Sequence, residues 1–247
     1  MKITKYGFIS AIGLFTFGSI IKKWDWELFS IGCLSIIIQS VLCKDCTSTF
    51  QMSAYISVLP ILFLFIKDCN RIKQILVAFS VFLAIGRIGC YYAGCCSGRE
   101  CKKTNLLKIK YEKDSVVNKQ LQKDKVYVYP TILLEIIFQF AIAYYVTVSK
   151  NGIPLFGLLN LMLYTMTNTW RLQERMSGSA HIPIMGLALF TIFSFQKCNG
   201  LEKYSFSYEF NYFNLIPAII LAIIVSNDIN INSINKFASK EKHLDHN

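Results

Sequence analysis

Apolar residues in this chain gather into eight runs, at roughly 6–21, 26–43, 50–66, 74–93, 131–148, 154–170, 182–196 and 213–226, with polar stretches between them. A bilayer core takes about 20 apolar residues per helix, so the lengths suit membrane spans. The last two runs are short and contain Pro183 and Pro217, so one of them can be re-entrant or interfacial. The pattern predicts an all-α polytopic membrane helical bundle of 7–8 spans, with residues 1–226 forming a single transmembrane domain. Between the fourth and fifth runs, 99–128 is too polar to span, with Lys102, Lys103, Lys108, Lys110, Glu112, Lys113 and Asp114, and is expected to form a small extramembrane cap. Weak alternation from Leu106 to Val117 predicts a short hairpin within it. The Asn, Ser and Lys-rich stretch 227–247 is expected to be a flexible polar tail. No internal repeat and no Gly/Ser linker divides the chain.

Composition agrees with lipid as the solvent. Of 247 residues, 53% are hydrophobic and 17% charged, more apolar surface than one soluble core of that size holds. The first run follows Lys2 and Lys5 as in a signal peptide, but no small-x-small cleavage site follows, so it is expected to stay as a first span. The net charge of +11 does not point to nucleic acid, because the lysines and arginines concentrate in loops, where anionic headgroups attract them.

Charges inside the apolar runs are few, and each needs an explanation. Arg87, in Leu83-Ala-Ile-Gly-Arg-Ile-Gly-Cys90, costs a few kcal/mol unless it snorkels, pairs or lines a wet cavity. The structural explanation is snorkelling from near a helix end. The functional one is an anion site, since a guanidinium presents a planar fork of donors suited to phosphate. Gly86 and Gly89 favour the second, because they let a helix or headgroup approach closely. Glu135 is the other deep charge. Pro130 suits a first helical position and Thr131 can cap it, which puts Glu135 just over a turn into the helix. A carboxylate there needs a cation, and Arg87, at the other end of the 99–128 loop, is the expected partner in an ion pair that is either structural or catalytic. Arg171 and Glu174 share a helix face at the end of the sixth run, as a solvated helix end also would. On the same helix Tyr164 and Asn168 lie a turn apart in its apolar part.

Cys90, Cys95, Cys96 and Cys101 fall within twelve residues. Their spacing lacks the paired Cys-x₂₋₄-Cys form of a zinc site and the Cys-x-x-Cys of a redox pair, and buried thiols also serve as small packing groups. No metal and no cofactor is expected. Of three histidines, His243 and His246 sit in the tail and His181 reads as a loop residue.

Gly86-Arg-Ile-Gly-Cys-Tyr-Tyr-Ala-Gly-Cys-Cys-Ser-Gly98, then Pro130-Thr-x-x-x-Glu135, then Gly157 and Tyr164 before Arg171, resembles the prolipoprotein diacylglyceryl transferase family. The resemblance implies a multi-pass plasma-membrane transferase that moves a diacylglyceryl group from phosphatidylglycerol, the anionic donor, to the sulfur of a prolipoprotein's lipobox cysteine, with no nucleic-acid partner. It implies that Arg87 holds the lipid phosphate and that Glu135 and Arg171 join it in catalysis. Gly86, Gly89 and Gly98 match the family's glycines, and Tyr164 resembles a later motif tyrosine, so these residues line the substrate site with Cys90, Cys95 and Asn168. Cys90 stands where the best-studied members have Asn and Cys95 where they have Glu, the form of a divergent branch. Ile132 and Leu134 replace a Gln and a Tyr, Lys73 falls where an Asp is expected, and an earlier His-Gly-Gly motif is missing. With Tyr164 as anchor, Asn168 takes the place of a later arginine, and Arg171 matches only through a three-residue slip.

Transfer to a thiol needs the phosphate charge stabilised and the sulfur deprotonated. Arg87 meets the first need. For the second the chain offers Glu135, His181 or its own cysteines, and nothing singles one out. Two further readings stand beside this one: a protein of the same fold that binds anionic lipid or modifies another acceptor, and a thiol redox or metal-handling membrane protein.

Overall fold

The computed structural model describes residues 5–21, 65–95, 97–112, 115–170, 181–198 and 214–220, with single positions at 59, 62 and 223. Its elements in chain order are α1 (Lys5–Ile21), α2 (Cys69–Ala93), β1 (Ile109–Glu112), α3 (Val116–Leu121), β2 (Lys125–Val128), α4 (Thr131–Val148), α5 (Gly152–Thr169) and α6 (His181–Lys197), followed by a helical stretch at 214–220. The span expected at 26–43, most of that at 50–66 and the tail at 227–247 lie outside the described residues.

Among the described residues, α2 and α4 are long and apolar enough to cross a membrane, and α1, α5 and α6 supply shorter apolar helices. Around a buried apolar core, these helices also carry apolar side chains outward and polar ones inward. Ile137, Tyr144, Met185, Ile192 and Phe193 face outward and are exposed, while Lys73, Ser80, Arg87, Glu135, Gln139 and Asn160 are buried. Apolar side chains on the outside need an apolar solvent, and polar side chains in its interior need each other.

Helix α2 is the centre of the bundle, with α1 along one side and α4 along another, while α5 packs on α4 and α6. The α2–α4 pair is antiparallel and clasped at both ends. At one end the fully buried Lys73 reaches the Ser149 carbonyl with Nζ at 2.9 Å. At the other, Arg87 meets Glu135. Fourteen positions separate Lys73 from Arg87 and fourteen separate Glu135 from Ser149, so the two contacts agree on one register. Between α4 and α5 a buried amide pair does the same work: Gln139 Nε2 donates to Asn160 Oδ1 at 2.8 Å, and Asn160 Nδ2 donates to the Phe156 carbonyl at 2.9 Å. The α1 end is held by Arg71 and Gln74, which donate to the carbonyls of Ile21 and Ile20, satisfying acceptors the helix end leaves open. A disulfide, Cys69–Cys198, links the start of α2 to the residue after α6.

The all-helical expectation is corrected in the cap. β1 and β2 form an antiparallel ladder with Ile109 opposite Val128 and Glu112 opposite Lys125, and Glu100 bridges to Val128 from the other side. The hairpin expected within Leu106–Val117 is also displaced. Only its middle is strand, its partner is the more distant Lys125–Val128, and the expected return arm is the helix α3. Ser115 explains the change, since its side chain accepts from the Asn118 amide and starts a helix. Ile109, Tyr111, Val117, Val126 and Val128 then close a small core of their own, which alternation in one strand alone could not reveal.

Candidate active site

Helix α2 carries Arg87 toward the cap and stops two turns later. Gly94, at φ 68°, is its left-handed cap, with the amide bonded to the Tyr91 carbonyl. Its own carbonyl accepts from the Val117 amide at 3.2 Å, which ties the end of α2 to α3. The chain re-enters the bundle at Pro130, and the α4 helix begins at Thr131. Contrary to the expectation from the sequence, Thr131 does not cap it: the residue is inside the first turn, its side chain is fully buried, and no side-chain cap bond is made. Pro130 removes an amide that would otherwise need a partner, so the cap is dispensable.

Glu135 then lies one turn inside α4, where its Oε2 is 2.6 Å from Arg87 Nε. The two side chains are 2% and 7% exposed, so the pair is desolvated and each group depends on the other. Arg87 Nη1 also lies 3.9 Å from Cys90 Sγ, one turn on, and Cys95 Sγ is 3.9 Å from the Cys90 carbonyl. Cys90 is buried, and Cys95 and Cys101 are partly exposed. Cys96 lies outside the described residues, among which no group of His, Cys, Asp or Glu could hold a metal ion.

The three glycines do different jobs. Gly89 lets Tyr6 of α1 close in, since an added Cβ would stand 2.9 Å from its ring. Gly98 lies so tightly against the Tyr129 carbonyl that no side chain fits. There the Tyr129 amide also donates to the Arg99 carbonyl at 3.0 Å, which draws the two ends of the cap together over the Arg87–Glu135 pair. Gly86 is different. A Cβ there would meet nothing within 4 Å, although Phe82 and Gly89, a turn to either side, both touch α1. Among the described residues, open space therefore lies between α1 and α2 beside Arg87.

Tyr164 is buried on α5 at the level of the pair. The Gln139–Asn160 bond sets the α4–α5 register, and four residues nearer the cap on each helix stand Glu135 and Tyr164. Asn168 follows a turn later on the same helix. Arg171 and Glu174 lie outside the described residues, and His181 opens α6. The Arg99 amide donates to the Trp170 carbonyl at 2.7 Å, so the end of α5 reaches the cap. Sequence reasoning missed Gln139 and Asn160, whose one visible signal was an amide in each of two apolar runs. It also missed Gly94, a Gly just past a long apolar run.

A family model described as prolipoprotein diacylglyceryl transferase matches residues 52–233. No curated protein and no solved structure matches the chain.

Proposed function

The chain belongs to the prolipoprotein diacylglyceryl transferase family, membrane transferases of lipoprotein biosynthesis, and from that premise we propose that it transfers a diacylglyceryl group from phosphatidylglycerol to the sulfur of a lipobox cysteine. The observation that carries the reading is the buried Arg87–Glu135 pair, at 2.6 Å, beside the open space at Gly86. A phospholipid arriving between α1 and α2 brings its phosphate to the guanidinium, while its acyl chains stay in the bilayer around the exposed apolar faces. In this reading the protein is a multi-pass protein of the plasma membrane.

The reaction forms a bond between the acceptor sulfur and the glyceryl carbon and breaks that carbon's bond to the phosphate oxygen. The electron pair leaves with glycerol phosphate. Arg87 stabilises the charge that collects on the phosphate, a contact stronger in the transition state than before it. Glu135, brought next to that charge, takes the thiol proton as the sulfur attacks. Tyr164, at the same level on α5, lines the site, and Asn168 and Arg171 assist it.

The test is transfer of labelled diacylglyceryl from phosphatidylglycerol to a lipobox peptide by the full-length protein in lipid nanodiscs. Arg87→Ala is expected to abolish transfer while the protein still inserts. A swap, Arg87→Glu with Glu135→Arg, separates chemistry from structure: it is expected to restore thermal stability without restoring transfer. An Arg87→Ala protein that transfers at the normal rate overturns the reading.

A further inference from the structure

Leu106 is 96% exposed and Leu107 is 70% exposed, on a cap whose other apolar side chains close a core. The topology of the small sheet fixes where this pair stands. Residues 98–101 and β1 both run antiparallel to β2, on opposite edges of it: Glu100 and Ile109 each face Val128. The chain therefore leaves the first edge at Cys101, whose amide bonds the Tyr127 carbonyl, and must come back to the Val128 end before β1 begins. Val128 is two residues from Pro130 and three from the start of α4. Leu106 and Leu107 immediately precede that return, at the bundle end of the cap. The opposite end of the hairpin, Glu112 and Lys125, points away from the bundle.

That level is marked independently. Tyr92, near the end of α2, Tyr129, just before α4, and Trp170, just after α5, are all exposed and ring the same end of the bundle. Exposed Tyr and Trp at the ends of apolar helices are the mark of the headgroup layer. Lys5 lies 5.9 Å over the Tyr92 ring there.

The charge around the leucines is of one sign. Residues 101–110 include Lys102, Lys103, Lys108 and Lys110 and no acidic residue. All four lysines are exposed. Lys108 is anchored by the Lys103 carbonyl and stands 5.8 Å over the Tyr127 ring, so the loop is held in shape and not only tethered. Glu100, just before this stretch, is engaged by Lys123 at 2.7 Å.

We propose that the 102–108 loop docks into the anionic headgroup layer of the membrane, with Leu106 and Leu107 inserted at the acyl boundary and Lys102, Lys103 and Lys108 on lipid phosphates. An apolar tip flanked by cations is the combination that interfacial segments use, one part supplying insertion and the other selecting anionic lipid. Each lysine near an anionic surface raises local occupancy about fivefold. The loop thus gathers anionic lipid at the face of the bundle where the cap meets α2 and α4.

The test uses the full-length chain in nanodiscs of phosphatidylcholine with increasing phosphatidylglycerol. Leu106→Trp adds an indole whose emission is read as the difference from the unsubstituted protein. Brominated acyl chains are expected to quench the added emission, more strongly as phosphatidylglycerol increases, and Lys102→Glu/Lys103→Glu/Lys108→Glu on that background is expected to remove the dependence. Hydrogen exchange of the unaltered chain reports the same contact without a substitution, as slowed amides at 104–108 in anionic discs relative to neutral ones. An unquenched indole with fast amides at every lipid composition overturns the proposal. So does protection that appears only with an added lipobox peptide or with a second protein copy per disc, which assigns the leucines to a protein partner.

Discussion

A carboxylate and a guanidinium buried in a helical bundle are stable only as a pair, and removing one member leaves the other without compensation at a cost of about 3–5 kcal/mol. Arg87 and Glu135 were legible in the sequence for that reason: charges are rare in apolar runs, and two near the same face are expected to meet. Their glycines were legible only as a frame. Which of them faces open space and which faces a neighbour depends on atoms from α1 and from the far end of the cap. The difference has a measurable consequence. Gly98→Ala drives a methyl group into the Tyr129 carbonyl, where backbone cannot yield, so it is expected to lower the thermal midpoint sharply along with activity. Gly86→Leu fills space that no described residue occupies, so the protein is expected to keep its midpoint and lose diacylglyceryl transfer by obstruction of the donor. If Gly86→Leu turns over lipid normally, the open side of α2 is not the donor's route.

At the scale of elements, helix positions were read well because lipid imposes one pattern on every span: the expected run 131–148 is α4 itself, and 182–196 falls within α6. The cap was read less well, because a four-residue strand takes its identity from its partner and the partner lies thirteen positions beyond β1. Lys73 shows a similar gap between a residue and its meaning. In sequence it was a lysine where an aspartate was expected; in the bundle it is the clasp that holds α2 to the end of α4, packed against Gly152 at the turn into α5. About 21 Å of helix separates it from Arg87 at 1.5 Å per residue, too far for direct coupling. Lys73→Ala is expected to cost about 1.5–3 kcal/mol, the worth of a hydrogen bond to a charged group, and to leave transfer by the folded fraction intact. Combined with Arg87→Ala the losses are expected to add to within about 0.5 kcal/mol, as measured by thermal unfolding of the single and double variants. A larger coupling would mean that the two clasps form one cooperative unit.

At the scale of the molecule, the described helices α2, α4, α5 and α6 form an antiparallel run in which each neighbour is fixed by one contact: an ion pair, an amide pair, and the close approach of Gly157 on α5 to Thr191 on α6. Phe156 adds rings on both sides, 6.4 Å from Phe79 and 5.9 Å from Phe190. Cys69–Cys198 links the end of that run back to its beginning. Neither cysteine stood out in the sequence, because a separation of 129 residues carries no spacing signal. For a water-soluble chain, closing a loop of more than 100 residues removes enough denatured-state entropy to stabilise by about 4.7 kcal/mol. A membrane bundle gains less, since its denatured state still holds its spans in the bilayer and the ends are already near one another. Cys69→Ser is therefore expected to lower the thermal midpoint by less than the soluble figure implies. A reductant is expected to bring the unaltered protein down to the midpoint of the variant, whose own midpoint it leaves unmoved. Because the bond lies at the end of α2 opposite Arg87, transfer activity below the midpoint is expected to be the same with and without it. Loss of activity on reduction at low temperature would show instead that the ring must be closed for the Arg87–Glu135 end to keep its shape.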